Sequence, residues 1–71
     1  MNTTTISVIA NGEAFELESD YPLHKFLADR KLNPLHIVVE HNGKALTKAE
    51  TQKLLLQNSD KLEIVQIVAG G

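Results

Sequence analysis

The feature that most constrains this chain is a change of hydrophobic period within its first third. Thr5 to Ala10 alternates, with Ile6, Val8 and Ala10 on one face, the period-two pattern of a strand. Asn11-Gly12 follows. That pair is a strong hairpin signal, because a tight two-residue turn needs positive φ at both positions. Glu13 to Glu18 alternates again, with Phe15 and Leu17 facing one way and Ala14, Glu16 and Glu18 the other. After Asp20-Tyr21 the period lengthens. Pro22 suits the first turn of a helix, where its missing N–H is not needed. Leu23, Phe26 and Leu27 then fall at i, i+3 and i+4, one helical face. The pattern predicts a helix of about ten residues, stopped by Asn33-Pro34.

The remainder is read the same way. Leu35 to His41 is a third strand ended by Asn42-Gly43, and Lys44-Ala45-Leu46 is a short extended piece. Thr47-Lys48-Ala49-Glu50 has the spacing of a capping box and opens a short second helix toward Leu54–Leu56. Gln57 to Asp60 is a turn, Lys61 to Val68 the last strand, and Ala69-Gly70-Gly71 the tail. The order is β-β-α-β-(β)-α-β. A helix between the second and third strands allows the last strand to lie beside the first and parallel to it, since parallel pairing requires a long crossover.

Composition narrows the function classes. The 71 residues suit one small domain, and so small a body leaves little room for a deep active-site cavity; a self-contained enzyme is not expected. Three residues are aromatic, Phe15, Tyr21 and Phe26, so the core must be built from Leu, Ile and Val. The net charge is −2 with basic residues scattered, whereas a nucleic-acid binder carries a basic patch. There is no Cys, hence no disulfide framework, Cys-based zinc site or thiol nucleophile. Apolar runs such as Ile37-Val38-Val39 are far too short to span a membrane. No signal peptide is visible, and a cytoplasmic location is expected. His24, His36 and His41 fit no standard zinc spacing; no metal is expected, and surface or structural roles are assigned to them. His36 and His41 are expected on opposite faces of the third strand. Glu40 lacks an obvious second carboxylate and reads as a hydrogen-bond acceptor or partner contact. Leu54-Leu55-Leu56 reads as core.

The end of the chain carries the chemistry. A strongly β-forming segment, Leu62 to Val68, leads into Ala69-Gly70-Gly71. Three such residues reach about 10 Å, and with no side chain beyond a methyl they can thread a narrow tunnel in a partner. An α-carboxylate is an anion at neutral pH and a poor electrophile, so it needs activation, for example as a mixed anhydride with AMP. The sequence has no Gly-rich phosphate loop; activation must come from another protein. These features describe a carrier with a reactive C-terminus.

The element order and the ending resemble the ubiquitin-like β-grasp proteins and, more narrowly, the ThiS family of sulfur carriers in thiamine biosynthesis. The resemblance is carried by Asn11, by Leu23 with Phe26-Leu27, and by Val39-Glu40-x-Asn42. It continues through Asp60 with Leu62-Glu63-Ile64, then Gln66-Ile67-Val68-Ala69-Gly70-Gly71. Departures are Thr47-Lys48 where the family often has Pro-Arg, Ser59-Asp60 where it often has Gly-Asp, and Thr51 where an aromatic is common. The resemblance implies an α+β fold, a mixed four- to five-stranded sheet packed on one main helix plus a short second helix, as a single domain over residues 1–71 with a flexible tail at 69–71. It implies that an E1-like adenylating enzyme uses ATP to activate the Gly71 carboxylate. Sulfur from a cysteine-desulfurase-type donor makes the thiocarboxylate, and thiazole synthase takes that sulfur. No cofactor is expected on the chain itself, nor any catalytic residue of its own. Two other readings stay open: the small subunit of molybdopterin synthase or another sulfur carrier, and a ubiquitin-like interaction domain without tail chemistry.

Strand parity adds a surface. If Ile6, Val8, Phe15, Leu17, Ile37, Val39, Leu62 and Ile64 face the helix, then Ile9, Val38, Val65 and Ile67 project from the opposite face. Branched apolar side chains on an uncovered sheet face make a candidate partner-binding patch.

Overall fold

The computed structural model describes residues 4–67. Strands β1 (Thr5–Ala10) and β2 (Glu13–Glu18) form the first hairpin, α1 (Leu23–Asp29) crosses the sheet, and a 3-10 turn, Pro34–His36, leads into β3 (Ile37–His41). Then come β4 (Lys44–Ala45), α2 (Lys48–Lys53) and β5 (Lys61–Gln66). The sheet has five strands in the order β2-β1-β5-β3-β4. β1 and β5 are neighbours and parallel; every other pairing is antiparallel. This is the ubiquitin-like β-grasp expected from the element order.

Both Asn-Gly turns take the conformation their sequence demands. Asn11 and Gly12 lie at φ 51° and 81°, and Asn42 and Gly43 at 51° and 87°. One face of the sheet meets α1, and Phe26, Leu23, Leu27, Leu56, Leu62 and Val8 are fully buried between them. Phe15 and Leu17 from β2 and Ile64 from β5 pack against that cluster while remaining partly exposed. The Phe15 and Phe26 rings meet edge to face at 5.3 Å, and the Arg30 guanidinium lies over Phe15 at 4.2 Å.

Three boundaries differ from the sequence reading. The main helix has seven residues, not about ten, and does not run on to Asn33-Pro34. Lys31, at φ 59°, closes it. Leu32 N–H donates to Leu27 O and Lys31 N–H to Ala28 O, both at 2.9 Å, the double bond of a Schellman cap. Glycine usually fills that left-handed position; lysine there hides the stop. Leu35 and His36, read as strand, belong to the 3-10 turn. The Asn33 side chain caps it by accepting from Leu35 N–H at 2.9 Å, and Pro34 opens the turn. His36 therefore stands ahead of β3, not on a face of it. The last strand ends at Gln66, although Ile67 N–H still donates to His36 O; Val68 and the tail, Ala69, Gly70 and Gly71, lie outside the described residues.

The capping box is formed: Thr47 N–H donates to Glu50 Oε1 at 2.8 Å, and Glu50 N–H to Thr47 Oγ1 at 3.1 Å. Thr51 is buried and donates its hydroxyl to Thr47 O at 2.9 Å. Of the three leucines read as core, Leu56 is fully buried, Leu54 packs against the core and Leu55 is exposed. The segment is tied to the start of α1 through Leu23 N–H to Leu54 O and Leu56 N–H to Tyr21 O.

Phe26 fills the centre of this core, at 1% exposure. Phe26→Ala is expected to cost about 3–5 kcal/mol. A core of this size supplies only about 3–5 kcal/mol of net stability, so the variant should be largely unfolded at 25 °C by circular dichroism. A melt within a few degrees of the parent would show that the core does not depend on this ring.

Candidate functional site

β5 is one residue, Ile67, from residues 68–71 in the chain, so the side chains that fix β5 hold the strand that leads to the tail. β1 gives β5 only two register pairs, Ile9 with Lys61 and Ala10 with Leu62. The hairpin then turns away, and the Asn11 side chain continues the ladder. Its Nδ2 donates to Ile64 O at 3.1 Å, and Ile64 N–H donates to its Oδ1 at 2.7 Å. A side-chain amide carries one donor edge and one acceptor edge, so Asn11 acts as one more peptide unit of β1.

Asn42, in the second turn, ties the other end of β5 in a different way. Lys61 N–H donates to the Asn42 side-chain Oδ1 at 2.8 Å, and the Asn42 backbone N–H donates to Lys61 O at 2.8 Å. The Asn42 Nδ2 reaches Asp60 Oδ1 at 3.1 Å. Asp60 is 7% exposed and also accepts from Gln57 N–H at 2.8 Å and meets His41 Nε2 at 3.0 Å. Burial works against its charge, but the Gln57 N–H, the His41 ring and the Asn42 amide outweigh burial, and the carboxyl sits below its usual range. Ahead of β5, Ser7 N–H donates to Asn58 Oδ1 at 2.8 Å and Ser59 N–H to Ser7 O at 2.7 Å.

The face of the sheet away from α1 is uncovered by any described element. On β5 it presents Lys61, Glu63 and Val65, and just past the end of the strand Ile67, all exposed. Val38 is the register partner of Val65 and is half-buried; Val65 and Ile67 are 56% and 58% exposed. These three form one apolar patch at the end of β5 that leads to the tail. Ile9 is 42% exposed but stands apart, opposite Lys61, four residues or about 13 Å along β5 from Val65. His24 is exposed on α1 and His36 half-buried in the 3-10 turn. Among the described residues no three His, Cys, Asp or Glu side chains converge as metal ligands would. Gly71, Gly70 and Ala69, the residues assigned to the reacting end, lie outside the described residues.

The polar ties to β5 were not read from the sequence. Asn11 and Asn42 stood out as turn formers, and turn geometry alone would accept Asp equally. The distinguishing signal is chemical, since an amide, unlike the carboxylate of Asp, can both give and accept a hydrogen bond beside a strand. In the sequence Asp60 is marked only by a motif, and its carboxylate gains its donors once β3 brings His41 and Asn42 beside it.

Comparison with known proteins agrees with this architecture. The family model described as the ThiS family matches residues 3–71. A Trieres chinensis protein named uncharacterized protein ycf40 is 32% identical over 69 residues, covering 97% of this chain and 94% of its own. Among solved structures, a thiamine biosynthesis protein (ThiS) from Geobacter metallireducens superposes with a TM-score of 0.75 at 19% identity, over 93% of this chain and all of that one. The ubiquitin of Caldiarchaeum subterraneum gives 0.56 at 22% identity, over 99% of this chain and all of its own. At these identities the two structures speak for the fold.

Two outcomes follow from the ties to β5. Asn11→Asp keeps a turn-competent residue but removes the donor to Ile64 O. The loss should be about 1 kcal/mol, which lowers the melting temperature by about 4–8 °C in a domain of this size; an unchanged melt would show that the amide is not part of the ladder. For Asp60, a folded-state pKa below the usual 3.8 contributes stability that is present above the unfolded value and lost as pH falls through the folded one. Urea midpoints should therefore drop more between pH 5 and pH 2.5 in the parent than in Asp60→Asn. Equal drops would place the acid sensitivity elsewhere.

Proposed function

The chain belongs to the ThiS family, whose members are sulfur carriers, and from that membership we propose that it carries sulfur on Gly71 for the thiazole of thiamine. The observation that supports the reading most is the treatment of β5. The strand that precedes the tail is held by backbone on both sides and by two asparagine side chains, and its outward face bears the apolar patch. A docking face and a tail anchored to one rigid strand let a partner that grips the face know where the tail starts. Holding a reacting group in place this way removes much of the entropic cost of bringing reactants together.

The chemistry proposed is stepwise. On an E1-like adenylating enzyme, a Gly71 carboxylate oxygen attacks the α-phosphorus of ATP and pyrophosphate leaves. The outer sulfur of a donor persulfide then attacks the acyl carbon and displaces AMP, giving an acyl disulfide. A thiol reduces that disulfide, leaving the thiocarboxylate, which thiazole synthase consumes. Apart from that carboxylate oxygen, the chain contributes no acid, base or nucleophile to these steps. It supplies the carboxylate, the bare Ala69-Gly70-Gly71 backbone that a narrow tunnel can admit, and the patch of Val38, Val65 and Ile67, with Ile9 at its margin, for the enzymes to grip.

The test uses intact mass after incubation with the E1-like enzyme, ATP and a sulfur donor. The parent should gain the mass difference between sulfur and oxygen. Gly70→Val adds a branched side chain one residue from the reacting atom and restricts the backbone angles that glycine allows; its conversion should fall steeply with an unchanged circular dichroism spectrum. One residue added after Gly71 moves the carboxylate by about 3.5 Å, as large as the whole separation of reacting atoms in a near-attack geometry, and should abolish conversion. An extended, unprocessed chain that reacts at the parent rate would overturn the assignment of Gly71.

A further inference from the structure

The uncovered sheet face carries an electrostatic anomaly beside its apolar patch. Glu40 and Glu63 are register partners across β3 and β5, and both are exposed. Opposed residues on one sheet face stand with Cβ atoms about 4.5–5.5 Å apart, and like charges there are destabilising. Neither carboxylate makes an ion pair or a side-chain hydrogen bond among the described residues; the one ion pair found there joins His41 and Asp60. Lys61 is two residues along β5 on the same face and does not reach them. The pair sits two register steps from Val38 and Val65, the next pair on the same face. Farther out on this face, β2 presents Glu16 and Glu18, opposite Ser7 and Thr5. The face thus holds four glutamates and one lysine, although the whole chain has nine acidic residues to seven basic ones.

We infer that the partner surface received by this face has an apolar centre and a basic group, a guanidinium or ammonium, placed beside it to meet Glu40 and Glu63 together. The inference rests on the reading of this face as the docking face and specifies the partner's chemistry there. A bare glutamate pair costs the free chain stability and offers it no internal contact. Opposite a cation, the same pair presents a concentrated negative charge with apolar contact on one side. Complementary charge of this kind steers encounter and fixes register more than it adds affinity, which suits a carrier that must bind and leave successive enzymes.

The experiment measures association of the full chain with the E1-like adenylating enzyme of the same organism by stopped flow, from low to high salt. Glu40→Gln with Glu63→Gln should slow association about tenfold at low ionic strength, and the difference should vanish near 1 M salt, where the screening length is about 3 Å. The isolated double variant should melt at or above the parent temperature, because the repulsion is gone. Glu16→Gln with Glu18→Gln makes the same change in net charge away from the patch and should slow association much less. Equal slowing by both pairs would reduce the effect to overall charge and overturn the inference. Parent-rate association of the Glu40→Gln/Glu63→Gln variant would overturn it too. Val65→Asp separates the layers: if it abolishes binding while the glutamine pair binds as the parent does, the docking face stands and the basic partner group is wrong. If Val65→Asp also binds normally, the docking face itself is wrong.

Discussion

The whole sheet depends on a narrow seam, the parallel contact between β1 and β5. On one side of it lies the first hairpin, on the other the strands β3 and β4, and the two halves meet through only two register pairs. The residues that meet are more than fifty positions apart in sequence, as Ile9 and Lys61 are. Closing so long a loop costs entropy that two rungs of backbone pairing do not comfortably offset. The side chains of Asn11 and Asn58 lengthen the seam at its two ends, one bonding Ile64 and the other Ser7. Beneath it, Val8 and Leu62 are fully buried. Hydrogen bonding at the seam and burial below it support each other, because neither strand can leave without exposing the other's apolar face.

The periodic parts of this fold were legible because they rest on local physics. Alternation in β1 and β2, the i, i+3, i+4 stripe of α1, both Asn-Gly turns and the Thr47–Glu50 box are properties of a few consecutive residues, and each is found where the sequence places it. The end of the main helix was misplaced because an unusual residue takes a common geometry there. Lys31 closes α1 in the conformation that glycine favours, as Ser59, inside a turn that the sequence did mark, occupies φ 72°. A left-handed non-glycine residue is strained by about 1–2 kcal/mol, so sequence preference argues against it, and tertiary contacts overrule that preference. At Ser59 one such contact is visible, its N–H donating to Ser7 O across the seam.

The candidate site was half legible for a related reason. Exposure of Val65 and Ile67 follows from strand parity, which needs only the alternation. That Val38 joins them while Ile9 stands off depends on register between strands distant in sequence, and parity carries no register. The same limit hid the polar group around Asp60. His41, Asn42, Gln57 and Asp60 acquire their relation only when β3 lies antiparallel to β5. Once that pairing exists, the turn that ends β3 necessarily sits beside the turn that begins β5, and a buried carboxylate there must find donors.

This arrangement divides two kinds of polarity between the faces and ends of one strand. At its start, β5 is fixed by internal polar bonds, with Asp60 buried and satisfied by three neighbours. Along its outward face, the charges of Glu63 and Glu40 are left unsatisfied by the chain itself, next to apolar side chains that are equally unsatisfied. Evolution of stability alone would remove both features, since an opposite charge or a smaller polar residue at either place costs the fold nothing visible. Their coexistence beside the start of the tail agrees with the docking reading proposed above. On that reading the internal bonds hold the strand in place under a partner, and the outward charges speed the encounter with it.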